Sequence, residues 1–208
     1  KFSQIFKEME DIGTHVIICG GGRIAREYIN AVRSLHGNEA LCDIFGINLS
    51  RINSKLIISS FQDFAYPKVP KTIEELSVAL LFGKIIVMGG LQPGQSTTSV
   101  AFEVAEFIGA EELVILTDVK GIYDKDPKKF HDAKLLKNLT YNELQELILN
   151  SSGDRQAAAG EYRIFDIVSL QILKRSKIKT RIMSGKDLNE FEKYWKGKND
   201  ITCTFISE

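Results

Sequence analysis

The stretch KIIVMGGLQPGQSTTSVAFEVAEFIG, residues 84–109, places an apolar run before a glycine-containing loop and an amphipathic segment. This order predicts a strand, a loop and a helix whose N-terminal N–H groups face an anion. The loop fits G-x-x-x-x-G-K-[ST] except at Gln95, which stands where the lysine belongs. A neutral glutamine cannot neutralise phosphate charge, so an ATP-binding P-loop is only an alternative. In that alternative, Asp118 would imitate the Walker B aspartate, which ends an apolar strand.

A second glycine cluster follows another apolar run in HVIICGGGRIAREYI, residues 15–29. Neither cluster is a dinucleotide fingerprint, since Arg23-Ile24-Ala25 supplies no third glycine. In parallel sheets, ligands bind at the carboxyl ends of strands. A long polar segment, 118–139, also follows the apolar run ELVILT, and loops of that size are usually functional. Together these features predict a site for a phosphorylated ligand.

Short β-branched runs alternate with helical patterns along the whole chain, which predicts an α/β fold with a mainly parallel sheet sandwiched by helices. Phe2, Ile5, Phe6 and Met9 have the spacing of a buried helix face, and Gly13 is a plausible end of that helix. No Pro- or Ser-rich linker interrupts the pattern, so we expect one domain, 1–208. The predicted strands are 15–19, 84–88, 112–117, 179–183 and 201–206, and the other predicted helices are 23–34, 44–61, 72–82, 96–108, 140–149, 164–175 and 187–196.

Composition excludes several classes of protein. The 208 residues include 27 Lys plus Arg and 27 Asp plus Glu. This balance gives no electrostatic reason to expect nucleic acid or an anionic membrane as partner. No apolar run approaches the roughly 20 residues that cross a bilayer. Three widely spaced cysteines, Cys19, Cys42 and Cys203, predict neither a disulfide framework nor a metal site, and favour a reducing cytoplasm.

Three ordered motifs carry a family resemblance: GGGRIAREYI (20–29), GGLQPGQSTTSVA (89–101) and TDVKGIYDKDP (117–127). Together they resemble the amino-acid-kinase superfamily and, within it, the archaeal-type UMP kinases. The resemblance implies a three-layer α/β/α sandwich, transfer of the γ-phosphoryl of ATP to UMP, and Mg²⁺ carried with ATP. It also implies a homohexamer built from dimers, with residues 1–110 holding UMP and residues 111–208 holding ATP.

The first motif supplies the predicted catalytic residues. By the resemblance, Gly21 approaches the UMP phosphate, while Gly22 and Arg26 contact the transferred phosphoryl group of ATP. A planar guanidinium suits phosphate. The alternatives are a tight turn for the glycines, which would need about one of them, and for Arg26 a surface ion pair with Glu27 or Glu39.

The acceptor nucleotide is assigned to two further segments. By the resemblance, Asp43 receives the ribose hydroxyls, and the loop that begins at Gly90 reads uracil and seats the phosphate, with Thr97 the strongest single candidate. The alternatives are helix N-caps at Asp43 and at Ser96. No lysine is required because uracil is neutral. The UMP-binding loop is predicted to consist of Gly90, Leu91, Gln92, Pro93, Gly94, Gln95, Ser96 and Thr97.

The third motif is assigned to ATP. The resemblance places Thr117 near the phosphates, Tyr123 beside the adenosine and Asp126 in a D-P turn. Asp-Pro alone is a common turn signal. Bacterial relatives carry an aspartate next to the Thr97 position, where this chain has Thr98, so a bacterial mechanism does not transfer whole.

The family also has an initial strand and a phosphate-loop lysine that precede the first helix, and this sequence begins with that helix. We therefore expect a preceding segment of about 20–25 residues, sized by the strand and loop it must supply. Two alternatives to a UMP kinase remain. One keeps the fold with a carboxylate, carbamate or phosphonate acceptor, and the other is a non-catalytic nucleotide-binding subunit.

Overall fold

The computed structural model describes residues 1–8, 15–152 and 164–208. Met9 and Gly13, predicted at the end of the first helix, lie outside the described residues. No helix of the described residues combines the length and the apolar character needed to cross a bilayer. The helices are α1 (Phe2–Lys7), α2 (Gly22–Ser34), α3 (Glu39–Phe61), α4 (Ile73–Leu80), α5 (Thr97–Phe107), α6 (Tyr141–Ser152), α7 (Ile167–Ser176) and α8 (Asn189–Trp195).

The strands form parallel-dominated sheets, which confirms the predicted α/β class. β1 pairs with β2 in parallel, β3 with β5 in parallel and β4 with β6 in parallel, whereas β5 and β6 are antiparallel. The four-stranded sheet has the order β3-β5-β6-β4. The strands are β1 (Val16–Ile18), β2 (Ile86–Met88), β3 (Glu112–Thr117), β4 (Asn138–Thr140), β5 (Lys179–Ser184) and β6 (Thr204–Ser207).

Two compact units divide the described residues. The glycine-loop unit comprises those within Phe6–Val104 and Gln156–Ser169, and the four-strand unit comprises those within Lys1–Ile5, Ala105–Arg155 and Leu170–Glu208. The sequence-based assignment of one domain, with parts meeting near residue 110, stays a prediction.

The 23-residue helix α3 is the element that positions the glycine loops. It begins at Glu39 because the Asn38 side chain accepts a hydrogen bond from the Leu41 N–H at 2.9 Å, which caps the first turn. Ser50 and Ser54 are fully buried along the helix. Small buried residues let other backbone segments approach a helix closely, and this face of α3 meets both glycine loops.

Candidate active site

The two glycine loops leave the same edge of the β1–β2 sheet. The strands are parallel, Ile18 lies opposite Met88, and the Cys19 N–H donates to the Met88 carbonyl at 2.8 Å. The loops therefore start side by side. A Cβ built on Gly20 would lie 3.5 Å from Thr97 Oγ1, so the first loop meets the start of α5. The structure thus brings together the two loops that the sequence assigned to one site.

In the first loop, Gly21 and Gly22 are required for structural reasons. A Cβ on Gly21 would lie 2.4 Å from the Ala25 Cβ, and Gly22 has a φ of 69°. The side-chain amide of Asn53 donates to the carbonyls of Gly20 and Gly21 at 2.8 and 3.2 Å. The turn alternative is therefore stronger than the sequence suggested, because steric fit and backbone conformation explain both glycines without a ligand.

The second loop is held by two consecutive residues of α3. The Gly90 N–H donates to Ser50 Oγ at 2.8 Å, and Arg51 donates to the carbonyls of Gly90 and Leu91, each at 3.1 Å. A Cβ on Gly89 would lie only 2.6 Å from Ser50 Oγ. Sequence reasoning missed Ser50, Arg51 and Asn53 as loop-holding residues. The available signal was a run of small and polar side chains inside an apolar helix.

Asp43 also contacts the second loop. Its Oδ2 accepts a hydrogen bond from the Gly94 N–H at 2.7 Å, and Gly94 has a φ of 78°. The N-cap alternative for Asp43 is wrong, because α3 begins at Glu39 and its cap is Asn38. Asp43 is half-buried and belongs to the second turn of α3, and its carboxylate holds the loop that is predicted to bind UMP.

Arg26 lies on the first turns of α2 and is exposed. The proposed ion-pair partners are engaged elsewhere: Glu27 pairs with Arg23 at 3.5 Å, and Glu39 pairs with Arg33 at 2.7 Å. The surface-pair alternative for Arg26 is therefore wrong, and within the described ranges its guanidinium forms no ion pair. A charged fork left in solvent next to a glycine loop is available to bind phosphate.

Ser96 has the capping role that the sequence left as an alternative. Its Oγ accepts from the Ser99 N–H at 3.1 Å, and α5 begins at the next residue. Gln95 Nε2 donates to Glu103 Oε2 at 2.5 Å. Thr97 forms no hydrogen bond through its hydroxyl with any residue that the structure describes. Thr97 is therefore the better candidate for contact with a ligand.

The third motif belongs to the four-strand unit. Thr117 ends β3, and its carbonyl accepts from the Gly185 N–H at 2.6 Å. Tyr123 forms an antiparallel bridge with Leu135. Asp126 Oδ1 accepts from the Lys128 N–H at 2.9 Å, which is the turn that the Asp-Pro pair predicted. The assignment of Thr117, Tyr123 and Asp126 to ATP stays a prediction.

Comparison with known proteins defines the class. The model of the amino acid kinase family matches residues 1–184, and the chain belongs to this family. It is 43% identical to the uridylate kinase of Sulfolobus acidocaldarius over 92% of this chain and 83% of the relative. It is 45% identical to the uridylate kinase of Methanobrevibacter smithii over 90% of this chain and 81% of that relative.

A solved structure of a uridylate kinase is also similar to this chain. The crystal structure of uridylate kinase from Archaeoglobus fulgidus superimposes with a TM-score of 0.82 at 32% identity. The match covers 99% of this chain and 90% of that one. These findings confirm the resemblance and the amino-acid-kinase fold that the three motifs predicted.

Proposed function

We propose that this protein is a UMP kinase, which transfers the γ-phosphoryl group of ATP to UMP and yields UDP and ADP. Uridylate kinases at 43% and 45% identity support the substrate. The observation that carries the proposal is the attachment of both glycine loops to α3. Asn53 holds the first loop, while Ser50 and Arg51 hold the second. One rigid helix thus fixes two anion-binding loops at one sheet edge.

UMP binds along the second loop in this proposal. The free oxygen of Asp43 receives the ribose hydroxyls, since only Oδ2 of this carboxylate has a hydrogen-bond partner among the described residues. A carboxylate oxygen has two lone pairs, so Oδ1 can accept from both hydroxyls of a vicinal diol. Residues Gly90 to Thr97 read the uracil edge through backbone groups, and the Thr97 hydroxyl with the N-terminus of α5 seats the phosphate.

The first loop supports the phosphoryl group in transfer. Gly22 opens α2, so the backbone N–H groups of its first turn are not used within the helix. Arg26 adds a guanidinium to this positive end. Phosphoryl transfer needs alignment of donor and acceptor and stabilisation of charge, with little covalent chemistry by the protein. Gly22 and Arg26 provide those two contributions.

ATP and its metal are assigned to the four-strand unit through Thr117, Tyr123 and Asp126. The described residues contain no group of three His, Cys, Asp or Glu side chains that could hold a metal ion. Mg²⁺ needs few protein ligands when it is bound to nucleotide phosphates. We therefore assign Mg²⁺ to the ATP phosphates, where it would neutralise charge on the β- and γ-phosphoryl groups. It would enter the site with ATP.

The protein is also expected to be a homo-oligomer in the cytoplasm. Exposed apolar side chains on α3 support self-association, because exposed apolar patches on soluble proteins commonly mark interfaces. Light scattering on the full-length protein is expected to give about six times the monomer mass, as the predicted trimer of dimers requires. A monomer at micromolar concentration would contradict the oligomer. The side chains are Leu41, Ile44, Ile52 and Leu56, with 41%, 44%, 51% and 66% exposure.

A coupled assay with ATP, Mg²⁺ and each nucleoside monophosphate tests the activity of the full-length protein. We expect ADP release with UMP to exceed that with CMP, AMP or GMP by about tenfold or more, since a site that hydrogen-bonds one base leaves polar groups unpaired with another. An Arg26→Ala preparation, purified identically, controls for contaminating kinases. Equal release with all four monophosphates, or none with UMP, would remove the assignment.

A further inference from the structure

Asp166 contacts the N-terminal turns of two helices, and neither the motifs nor the family resemblance assigned it a role. Its Oδ1 accepts a hydrogen bond from Ser99 Oγ on α5 at 2.6 Å and from the Ser169 N–H on α7 at 2.7 Å. The Asp166 N–H donates back to Ser169 Oγ at 2.9 Å. This reciprocal pair caps α7, while the contact with Ser99 reaches a helix that is 67 residues earlier in sequence.

The hydroxyl groups between Asp166 and the second loop form a directed chain. Ser96 Oγ donates to Ser99 Oγ at 3.3 Å, and Ser99 Oγ donates to the carboxylate. Ser96 Oγ also accepts from the Ser99 N–H. Because the carboxylate only accepts, it fixes the direction of both hydroxyl protons. Ser99 is fully buried, so this arrangement has no competition from solvent there.

The carboxylate stays ionised at neutral pH. Burial raises the pKa of Asp166, but the hydrogen-bonding serines around its carboxylate outweigh burial and hold the pKa below its ordinary value. The positive ends of α5 and α7 also favour a negative charge at this position. An ionised, half-buried acceptor therefore ties the first turn of α5 to α7.

We propose that Asp166 is a positioning residue, which acts through Ser99 to fix the first turn of α5 and hence the Thr97 hydroxyl that seats the acceptor phosphate. The inference rests on the proposed UMP kinase function. Two hydroxyls of this turn, those of Ser96 and Ser99, are committed to the chain that ends at Asp166. The hydroxyls of Thr97 and Thr98 form no hydrogen bond within the described part of the protein. The hydroxyls of Thr97 and Thr98 are therefore available to a ligand, while the hydrogen bonds of Ser96 and Ser99 hold the backbone of this turn.

Three variants separate geometry from charge. Ser99→Ala removes the link between the helices but leaves the cap of α7 in place. Asp166→Ala removes both, and Asp166→Asn keeps an oxygen that can accept from Ser99 and Ser169 while removing the charge. Thr180→Val is the matched control, because Thr180 is a fully buried residue of the four-strand unit whose hydroxyl donates to the Ile178 carbonyl at 3.1 Å.

Calorimetry with UMP and with ATP on the full-length protein measures the effect without requiring turnover. We expect Ser99→Ala and Asp166→Ala to weaken UMP binding about tenfold and ATP binding less than about twofold, and Asp166→Asn to stay within about threefold of wild type. In the kinase assay the same variants should raise KM for UMP more than they lower kcat. Thr180→Val should lower Tm without changing UMP affinity.

Two results would overturn the inference. In one, Ser99→Ala and Asp166→Ala lower Tm yet bind UMP as wild type does, which assigns Asp166 a purely structural role. In the other, UMP and ATP affinities fall together, which indicates general loosening of the fold. Failure of the wild-type protein to bind UMP is a separate outcome, because it rejects the proposed function itself and the inference with it.

Discussion

Arg26→Ala is expected to lower kcat by about a hundredfold to a thousandfold while leaving the free energy of unfolding unchanged. Removal of a cation or donor that stabilises charge in a transition state costs this much in other enzymes. Stability should be unaffected because Arg26 is exposed and forms no ion pair within the described residues. Steady-state kinetics with UMP and ATP, together with urea unfolding, measure both quantities on the same preparation.

Arg23→Ala is the matched control, since Arg23 lies on the same helix and is 85% exposed at its side chain. Its ion pair with Glu27 at 3.5 Å is solvent-exposed, and pairs of this kind contribute little. Its kcat should stay within about twofold of wild type. Arg26→Lys should recover part of the rate, because it restores the charge without the planar fork. If Arg26→Ala keeps nearly full kcat, Arg26 is a surface residue without a role in transfer.

The sequence predicted elements well where hydrophobic periodicity was long, and poorly where caps or short strands decided the outcome. Helix α2 begins one residue before its predicted start at 23. Helix α3 begins five residues before its predicted start at 44, because Asn38 caps an additional turn that the predicted helix did not include. Strand β4 was missed because its single apolar residue, Leu139, lies between Asn138 and Thr140 and gives no periodic signal.

The candidate site was also predictable only in part. The glycine loops were predictable because strand, loop and helix are consecutive in sequence. The residues that hold them were not, since Asn53 reaches Gly20 across 33 positions and Asp166 reaches Ser99 across 67. No local pattern specifies such pairs. The choice between cap and ligand at Ser96 was also open from sequence, because both roles use the same hydroxyl.

Gly89→Ala is expected to lower the free energy of unfolding by about 3 kcal/mol and to weaken UMP binding by more than about tenfold. The new Cβ would lie 2.6 Å from Ser50 Oγ and 2.8 Å from the Arg51 backbone nitrogen. A side-chain tip can rotate away, but the backbone of α3 cannot move without disturbing its own helix. The end of β2 must therefore shift, and Gly90 then loses its hydrogen bonds to Ser50 and Arg51.

Gly46→Ala makes the same chemical change where there is room for it. A Cβ at Gly46 would lie 3.4 Å from Ile29 Cδ1, which is ordinary contact, and alanine within a helix is favoured over glycine by up to about 1 kcal/mol. This control should be as stable as wild type or more so, with unchanged UMP affinity by calorimetry. If both variants behave alike, close approach of Gly89 to α3 is not what holds the second loop. If only Gly89→Ala loses stability and UMP affinity, α3 is the element on which the acceptor loop depends.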